Sequence, residues 1–99
     1  MHTLLQEQGI ALTVLVFPMV DQVDERYRKL AEAYILYPQR QIRAICDDYG
    51  IPMLDLTEAI YREGGTTLFR DHLHLNTQGN DVVTNELEKY LVDTLDRQL

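Results

Sequence analysis

The stretch Ile10 to Phe17, IALTVLVF, is a short and nearly continuous apolar run that Pro18 closes. Its length and its β-branched residues are typical of a strand that is buried on both faces. Strands of this kind belong to parallel sheets, because helices cover both faces of such sheets. The stretch therefore predicts an α/β fold.

The segments on either side of this strand predict helices. Residues 2–9, HTLLQEQG, resemble the end of a helix with Gly9 at its C-terminal cap. After the strand, apolar residues recur at steps of three and four, which places them on one helix face; they are Val23, Tyr27, Leu30, Tyr34 and Tyr37. Pro38 interrupts this pattern and begins a second helix, Gln39 to Tyr49, which Gly50 ends. The residues expected to face inward from it are Ile42, Ile45, Cys46 and Tyr49.

A second strand and two more helices complete the pattern. The run IPMLDLT, residues 51–57, predicts another short buried strand, and Asp55 with Glu58 forms a possible capping box for a helix from Leu56 to Arg62. From Thr77 a final helix runs to the C-terminus, with one apolar stripe of Val83, Leu87, Tyr90, Leu91 and Leu95. Strands that alternate with helices predict a parallel sheet with a right-handed crossover.

The length of 99 residues allows one small domain. Two parallel strands are too few for an independent sheet, since the unpaired backbone groups of the first strand must bond to something. We therefore expect residues 1–99 to form a single incomplete domain. Its sheet would be completed by oligomerisation or by a missing N-terminal half.

The charge and the chain ends exclude several partners. Nine basic residues against sixteen acidic ones give a net charge of −7, which repels nucleic acid and anionic membranes. The first residues lack the features of a signal peptide, and no apolar run is long enough to span a bilayer, so a cytoplasmic protein is expected. The single Cys46 lies on an apolar helix stripe and is expected to pack in the core rather than to act as a reactive thiol.

The residues with the clearest chemical potential lie in LFRDHLHLNTQGND, Leu68 to Asp81. General base catalysis of acyl transfer needs an imidazole with one nitrogen facing a nucleophile and the other donating to a carboxylate. Asp71 and His74 can form that pair, with Asp71 orienting and His74 as the base. Alternatively, His74 is a loop residue that helps to cap the last helix. A metal site made of Asp71, His72 and His74 is disfavoured by their close spacing and by the lack of a fourth ligand.

The run from Asp71 to Gly79 resembles the C-terminal block of the SGNH, or GDSL-type, hydrolases: Asp, two residues, His, an apolar residue, Asn, two residues, Gly. The segments ALTVLVFP and YGIPMLDLTEAI before it are similar to the second half of that fold. The resemblance implies a three-layer, flavodoxin-like α/β/α domain and hydrolysis of an ester or acyl group without a cofactor or a metal. It assigns Asp71 and His74 as catalytic. His72 would lie beside the substrate or face solvent, and Asn76, Gln78 and Gly79 would shape the turn and the start of the last helix.

The chain differs from that family in one decisive respect. The family carries its nucleophilic Ser in a Gly-Asp-Ser block and its oxyanion donors in two later blocks, all of which would precede residue 1, and this sequence contains no serine. We therefore expect the chain alone to be inactive, with a partner chain supplying the N-terminal half. The alternative is a non-catalytic assembly module that forms a homodimer through its unpaired first strand.

Overall fold

The computed structural model describes residues 7–9 and 12–98. Two strands, β1 (Val14–Val16) and β2 (Met53–Asp55), alternate with helices. The helices are α1 (Glu25–Ile35), α2 (Tyr37–Tyr49), α3 (Thr57–Glu63) and α4 (Thr77–Gln98), and 3₁₀ turns span Val20–Val23 and Gly65–Leu68. The predicted α/β class is confirmed, with mainly helical content. Most of the helix expected over residues 2–9, together with Ile10 and Ala11, lies outside the described residues.

The two strands pair in parallel, as the sequence predicts, with Val14 opposite Met53 and Val16 opposite Asp55. The Val14 N–H donates to the Pro52 carbonyl at 3.0 Å, and the Leu56 N–H donates to the Val16 carbonyl at 2.9 Å. Each strand is only three residues long, shorter than the apolar runs indicate. A strand extends only where a neighbouring strand offers hydrogen-bond partners, and Pro18 has no N–H with which to extend the ladder.

Strand β1 is not buried on both faces, which corrects the prediction. Val16 is buried, but Leu15 is 39% exposed and Phe17 is also exposed. Val14 and Val16 bond to β2, so the alternation of the strand turns the backbone N–H and C=O of Leu15 toward the opposite edge. No residue of the described part of the chain makes a backbone hydrogen bond there.

After β1 the structure has the predicted order of a helix, a proline and a second helix. The apolar stripe predicted on the first of these helices is largely exposed. Asp24 caps α1, since its Oδ1 accepts from the Arg26 N–H at 2.9 Å. Pro38 lies in the first turn of α2, and Gly50 ends that helix with a φ of 65°. The predicted stripe is interrupted at Ala31, whose backbone is non-helical (φ −157°, ψ 55°), and Leu30 and Tyr34 on either side of it are 83% and 81% exposed. On α2, Cys46 is buried as expected, whereas Ile45 and Tyr49 are exposed.

The core lies where α3 meets the two 3₁₀ turns. Its buried members are Val23, Leu56, Ile60 and Leu68, and Leu75, Val82 and Val83 pack against them. Full burial of a side chain such as Ile60 stabilises the fold by about 1.5–3 kcal/mol. This cluster anchors both ends of the segment between Leu68 and α4, so the loop that carries Asp71 and His74 starts and ends on the core.

The start of α3 differs from the expected capping box. Asp55 accepts from the Thr57 N–H at 2.9 Å, but Leu56, not Asp55, is the residue that precedes the helix. Glu58 pairs with Arg28 of α1 instead of returning to the helix start. A long-range ion pair has therefore replaced the local contact that the spacing indicated.

Within the described residues, no helix has both the length and the apolar character that crossing a bilayer requires.

Candidate active site

A short loop between Leu68 and α4 holds the two residues that the sequence singles out. It begins and ends at an antiparallel bridge between Phe69 and Leu75. Inside the bridge, the Arg70 N–H donates to the His74 carbonyl at 2.8 Å, which closes the turn. The Val20 N–H donates to the His72 carbonyl at 3.0 Å and ties the loop to the segment that follows β1.

The carboxylate of Asp71 organises this turn. Its Oδ1 accepts from the backbone N–H groups of Leu73 at 2.9 Å and of His74 at 2.8 Å. Hydrogen bonds from an Asp side chain to backbone two and three residues ahead are a local property of the chain, and they favour Asp at this position. The turn is therefore fixed by the same carboxylate that contacts the imidazole.

The His74 ring lies against that carboxylate. Nδ1 is 2.9 Å from both Oδ1 and Oδ2 of Asp71. Because an ionised carboxylate only accepts hydrogen bonds, Nδ1 carries the proton, and Nε2 of the neutral ring is left as an acceptor. The contact thus selects the tautomer that a general base needs.

Electrostatics support an ionised Asp71. The Leu73 backbone N–H, followed by the N–H and then the ring of His74, lowers the pKa of Asp71 from 3.8 to about 2. Asp71 is consequently a carboxylate at any physiological pH.

The His74 side chain remains open to solvent. It is 64% exposed, and within the described residues its ring makes hydrogen bonds only to Asp71. No side-chain hydroxyl of the described part of the chain lies within hydrogen-bond distance of Nε2. The orientation of the ring is thus fixed through Nδ1, while most of the side chain is open to solvent.

Asn76 and Gly79 build the junction between this loop and α4. Asn76 Oδ1 accepts from the Gly79 N–H at 2.9 Å, which caps the helix, and Asn76 Nδ2 donates to the Thr67 carbonyl at 2.8 Å. Gly79 is pressed against the preceding turn, where an added Cβ would lie 2.4 Å from the Leu68 carbonyl oxygen. Both residues therefore shape the backbone that carries His74.

The side chains of His72 and Gln78 do not support the loop in the way that Asn76 and Gly79 do. The His72 side chain is exposed and makes no side-chain hydrogen bond among the described residues, although its carbonyl holds Val20. Gln78 is exposed on the first turn of α4. In the described part of the chain, no group of three or more His, Cys, Asp or Glu residues has the arrangement of a metal site.

Three supporting residues could not be found from the sequence. Val20, Thr67 and Leu68 fix the loop through their backbone groups, so the identity of their side chains carries little information. Only the folded chain brings Val20 to His72. Asn76 and Gly79, by contrast, did give a signal in the sequence, since Asn is favoured at a helix start and a Gly within the first turn of a helix calls for a steric reason.

Comparison with protein-family models, with curated proteins and with solved structures found no match.

Proposed function

We propose that this chain supplies the acid and base residues of an ester or acyl hydrolase of the SGNH, or GDSL, type. The observation that carries the proposal is the contact of His74 Nδ1 with both carboxylate oxygens of Asp71, with Nε2 left free. The finer fold, a three-layer flavodoxin-like domain, belongs to the same proposal. The parallel pair of β1 and β2 would form one side of its sheet.

In the proposed reaction, His74 Nε2 removes the proton of a serine hydroxyl as the serine oxygen bonds to the carbonyl carbon of the substrate. The same proton then passes to the leaving alcohol as its bond to carbon breaks. Water attacks the acyl-enzyme by the same sequence of proton transfers and releases the acid. Asp71 keeps the proton of the ring on Nδ1 throughout and stabilises the imidazolium.

The serine and the oxyanion donors come from another polypeptide segment in this proposal, because the sequence of 99 residues contains no serine. That segment is either continuous with this chain or a separate partner. Without it, the exposed imidazole lacks a nucleophile to activate, and the chain alone should hydrolyse esters no faster than an ordinary surface histidine.

A fluorophosphonate probe, which labels only activated serines, tests this proposal. The purified chain is added to a soluble extract of the source organism. We expect a labelled band whose intensity depends on the added protein. Hydrolysis of p-nitrophenyl acetate by the mixture should fall by about 10⁴-fold for Asp71→Asn, because the wrong tautomer then faces the serine. For His74→Ala it should fall at least as far.

His72→Ala is the matched control. His72 is two residues away and exposed, and it makes no hydrogen bond to Asp71 through its side chain, so labelling and hydrolysis should be unchanged. If labelling were equal for the wild type, His74→Ala and His72→Ala, the acid and base assignment would be wrong. Labelling absent from all three would exclude a separate partner that supplies the serine.

The free edge of β1 favours a second candidate, a homodimeric assembly module. Two copies could pair at Leu15, whose backbone groups face away from β2. Analytical ultracentrifugation at micromolar concentration should then give a dimer. Leu15→Lys should shift it to a monomer, since charged side chains protect strand edges, while Leu30→Lys on the exposed face of α1 should not. A monomeric wild-type chain would rule this candidate out.

A further inference from the structure

A second concave site lies on a different part of the chain. A cavity of about 220 Å³ opens between the first half of α2 and the junction of β2 with α3. It has room for several water molecules. Its polar lining consists of Gln39, Arg40, Arg43, Asp55, Thr57 and Glu58. None of these residues belongs to the loop that carries Asp71 and His74.

Two lining residues are buried and held rigidly. Gln39 Nε2 donates to Gln22 Oε1 at 2.7 Å, and Gln22 Nε2 donates back to Gln39 Oε1 at 3.0 Å. Gln39 Nε2 also lies 3.4 Å from Thr57 Oγ1 and donates to it. Thr57 is only 1% exposed, and its hydroxyl donates to no acceptor in the described part of the chain. A buried O–H without an acceptor costs free energy unless a bound group accepts from it.

Both lining carboxylates already have donors. Asp55 Oδ1 accepts from the Thr57 N–H. Glu58 binds the guanidinium of Arg28, which is buried beside it and stacks over the Tyr61 ring at 3.9 Å. The negative charge of Glu58 is therefore partly compensated before any ligand enters, whereas Asp55 has a backbone donor and no salt bridge among the described residues.

The two arginines that line the cavity, by contrast, have no acidic partner in the described part of the chain. Arg40 and Arg43 are three residues apart on α2, so they lie on one helix face. Within the described residues neither forms a salt bridge. Unpaired arginines that line the same cavity as a buried threonine suit an oxygen anion, because a guanidinium can donate two parallel hydrogen bonds to one.

We propose that this cavity binds a small oxyanion, a phosphate or carboxylate group, through Arg40, Arg43 and the Thr57 hydroxyl. The site is independent of the proposed hydrolase function. Because the chain as a whole carries a charge of −7, binding must arise from local contacts and should weaken as salt screens the two arginines.

Titration of the ¹⁵N-labelled full chain with sodium phosphate and, separately, sodium acetate tests the proposal at constant ionic strength. We expect saturable shifts of the Thr57 amide and the Gln39 side-chain amide for at least one of the two anions. Saturation by phosphate alone assigns a phosphate group, and saturation by acetate assigns a carboxylate. The double variant Arg40→Ala, Arg43→Ala should bind at least about tenfold more weakly.

Arg70→Ala is the matched control, since Arg70 is exposed and lines no part of the cavity. It should leave the affinity unchanged, as should His74→Ala. The fold of the double variant is checked by its amide spectrum away from α2. Linear, non-saturating shifts with both anions would overturn the site, and so would equal weakening by Arg70→Ala or unchanged binding by a folded double variant.

Discussion

The loop around His74 and the free edge of β1 both face solvent, but only the loop satisfies its own polar groups. In the loop, the backbone N–H groups of Arg70, Leu73 and His74 all find acceptors within four residues. On β1, the backbone of Leu15 finds no partner among the described residues. The contact between Asp71 and His74 is thus organised within the loop itself, whereas the backbone of Leu15 has no hydrogen-bond partner in the described part of the chain.

The difference follows from the range of the contacts. A bond from Asp71 to His74 closes a very small loop, so little chain entropy is lost in making it. A strand edge can only be satisfied by a segment from far away in sequence or from another molecule. The geometry of the Asp71–His74 contact therefore depends mainly on hydrogen bonds within the loop itself.

Rates of amide hydrogen exchange test the difference between the loop and the edge of β1 directly. We expect the largest effect in this experiment. We expect the Leu15 amide to exchange at nearly the rate of an unfolded chain. The Val14 and Leu56 amides, which donate across the ladder, should exchange at least about 100-fold more slowly. The Leu73 and His74 amides should fall between these limits, since Asp71 accepts from both at an exposed site.

Protein concentration provides the control for that experiment. If Leu15 were protected at high concentration and exposed on dilution, a second copy would cover the edge. If the Leu15 amide were as protected as the Val14 amide at every concentration, the edge of β1 would not be free. The proposed difference between the loop and the strand edge would then be wrong.

The site was easier to predict than its surroundings because its contacts are local. Asp71 and His74 lie three residues apart, and the geometry of the turn follows from the preference of Asp for bonding to backbone ahead of it. The role of Asn76 at the helix start follows from the same kind of preference. No local pattern reveals that the His72 carbonyl meets Val20.

The fold was predictable in class but not in burial. Helical spacing predicted that Leu30 and Tyr34 share one helix face, but the non-helical backbone at Ala31 interrupts the helix between them, and both side chains are exposed. The apolar run at β1 likewise predicted a strand, and the ladder extends only as far as β2 offers partners. The Gln22–Gln39 and Arg28–Glu58 pairs join residues 17 and 30 apart, so no sequence window contains them.

A methyl group at Gly79 should disrupt the loop through its support. In Gly79→Ala the new Cβ would meet the Leu68 carbonyl oxygen at 2.4 Å, and this backbone atom cannot move without shifting the loop. We expect a loss of about 1–3 kcal/mol in the free energy of unfolding, measured by urea titration. The amide signals of Leu73 and His74 should also shift.

Gly50→Ala is the matched control for that change. Gly50 has a φ of 65° but open space around its Cα, so alanine there costs about 1 kcal/mol from backbone strain alone. It should leave the signals of the His74 loop in place. Unchanged loop signals in Gly79→Ala would mean that the loop does not depend on this close approach.

Acid should loosen the loop before it affects the core, and this is the smallest effect we expect. The pKa of Asp71 is lowered to about 2, first by the Leu73 N–H, so the folded loop favours the carboxylate. Its contribution to stability is therefore complete above the ordinary value of 3.8 and is lost as the pH falls through about 2.

A ¹³C titration of the Asp71 carboxyl group should give that low midpoint, with the Leu73 and His74 amide signals moving together with it. Asp71→Asn should remove the transition, because an amide accepts at Oδ1 without titrating in this range. A midpoint near 3.8 would show that the turn does not stabilise the carboxylate. The hydrogen bonds of the loop would then not account for the orientation of the His74 ring.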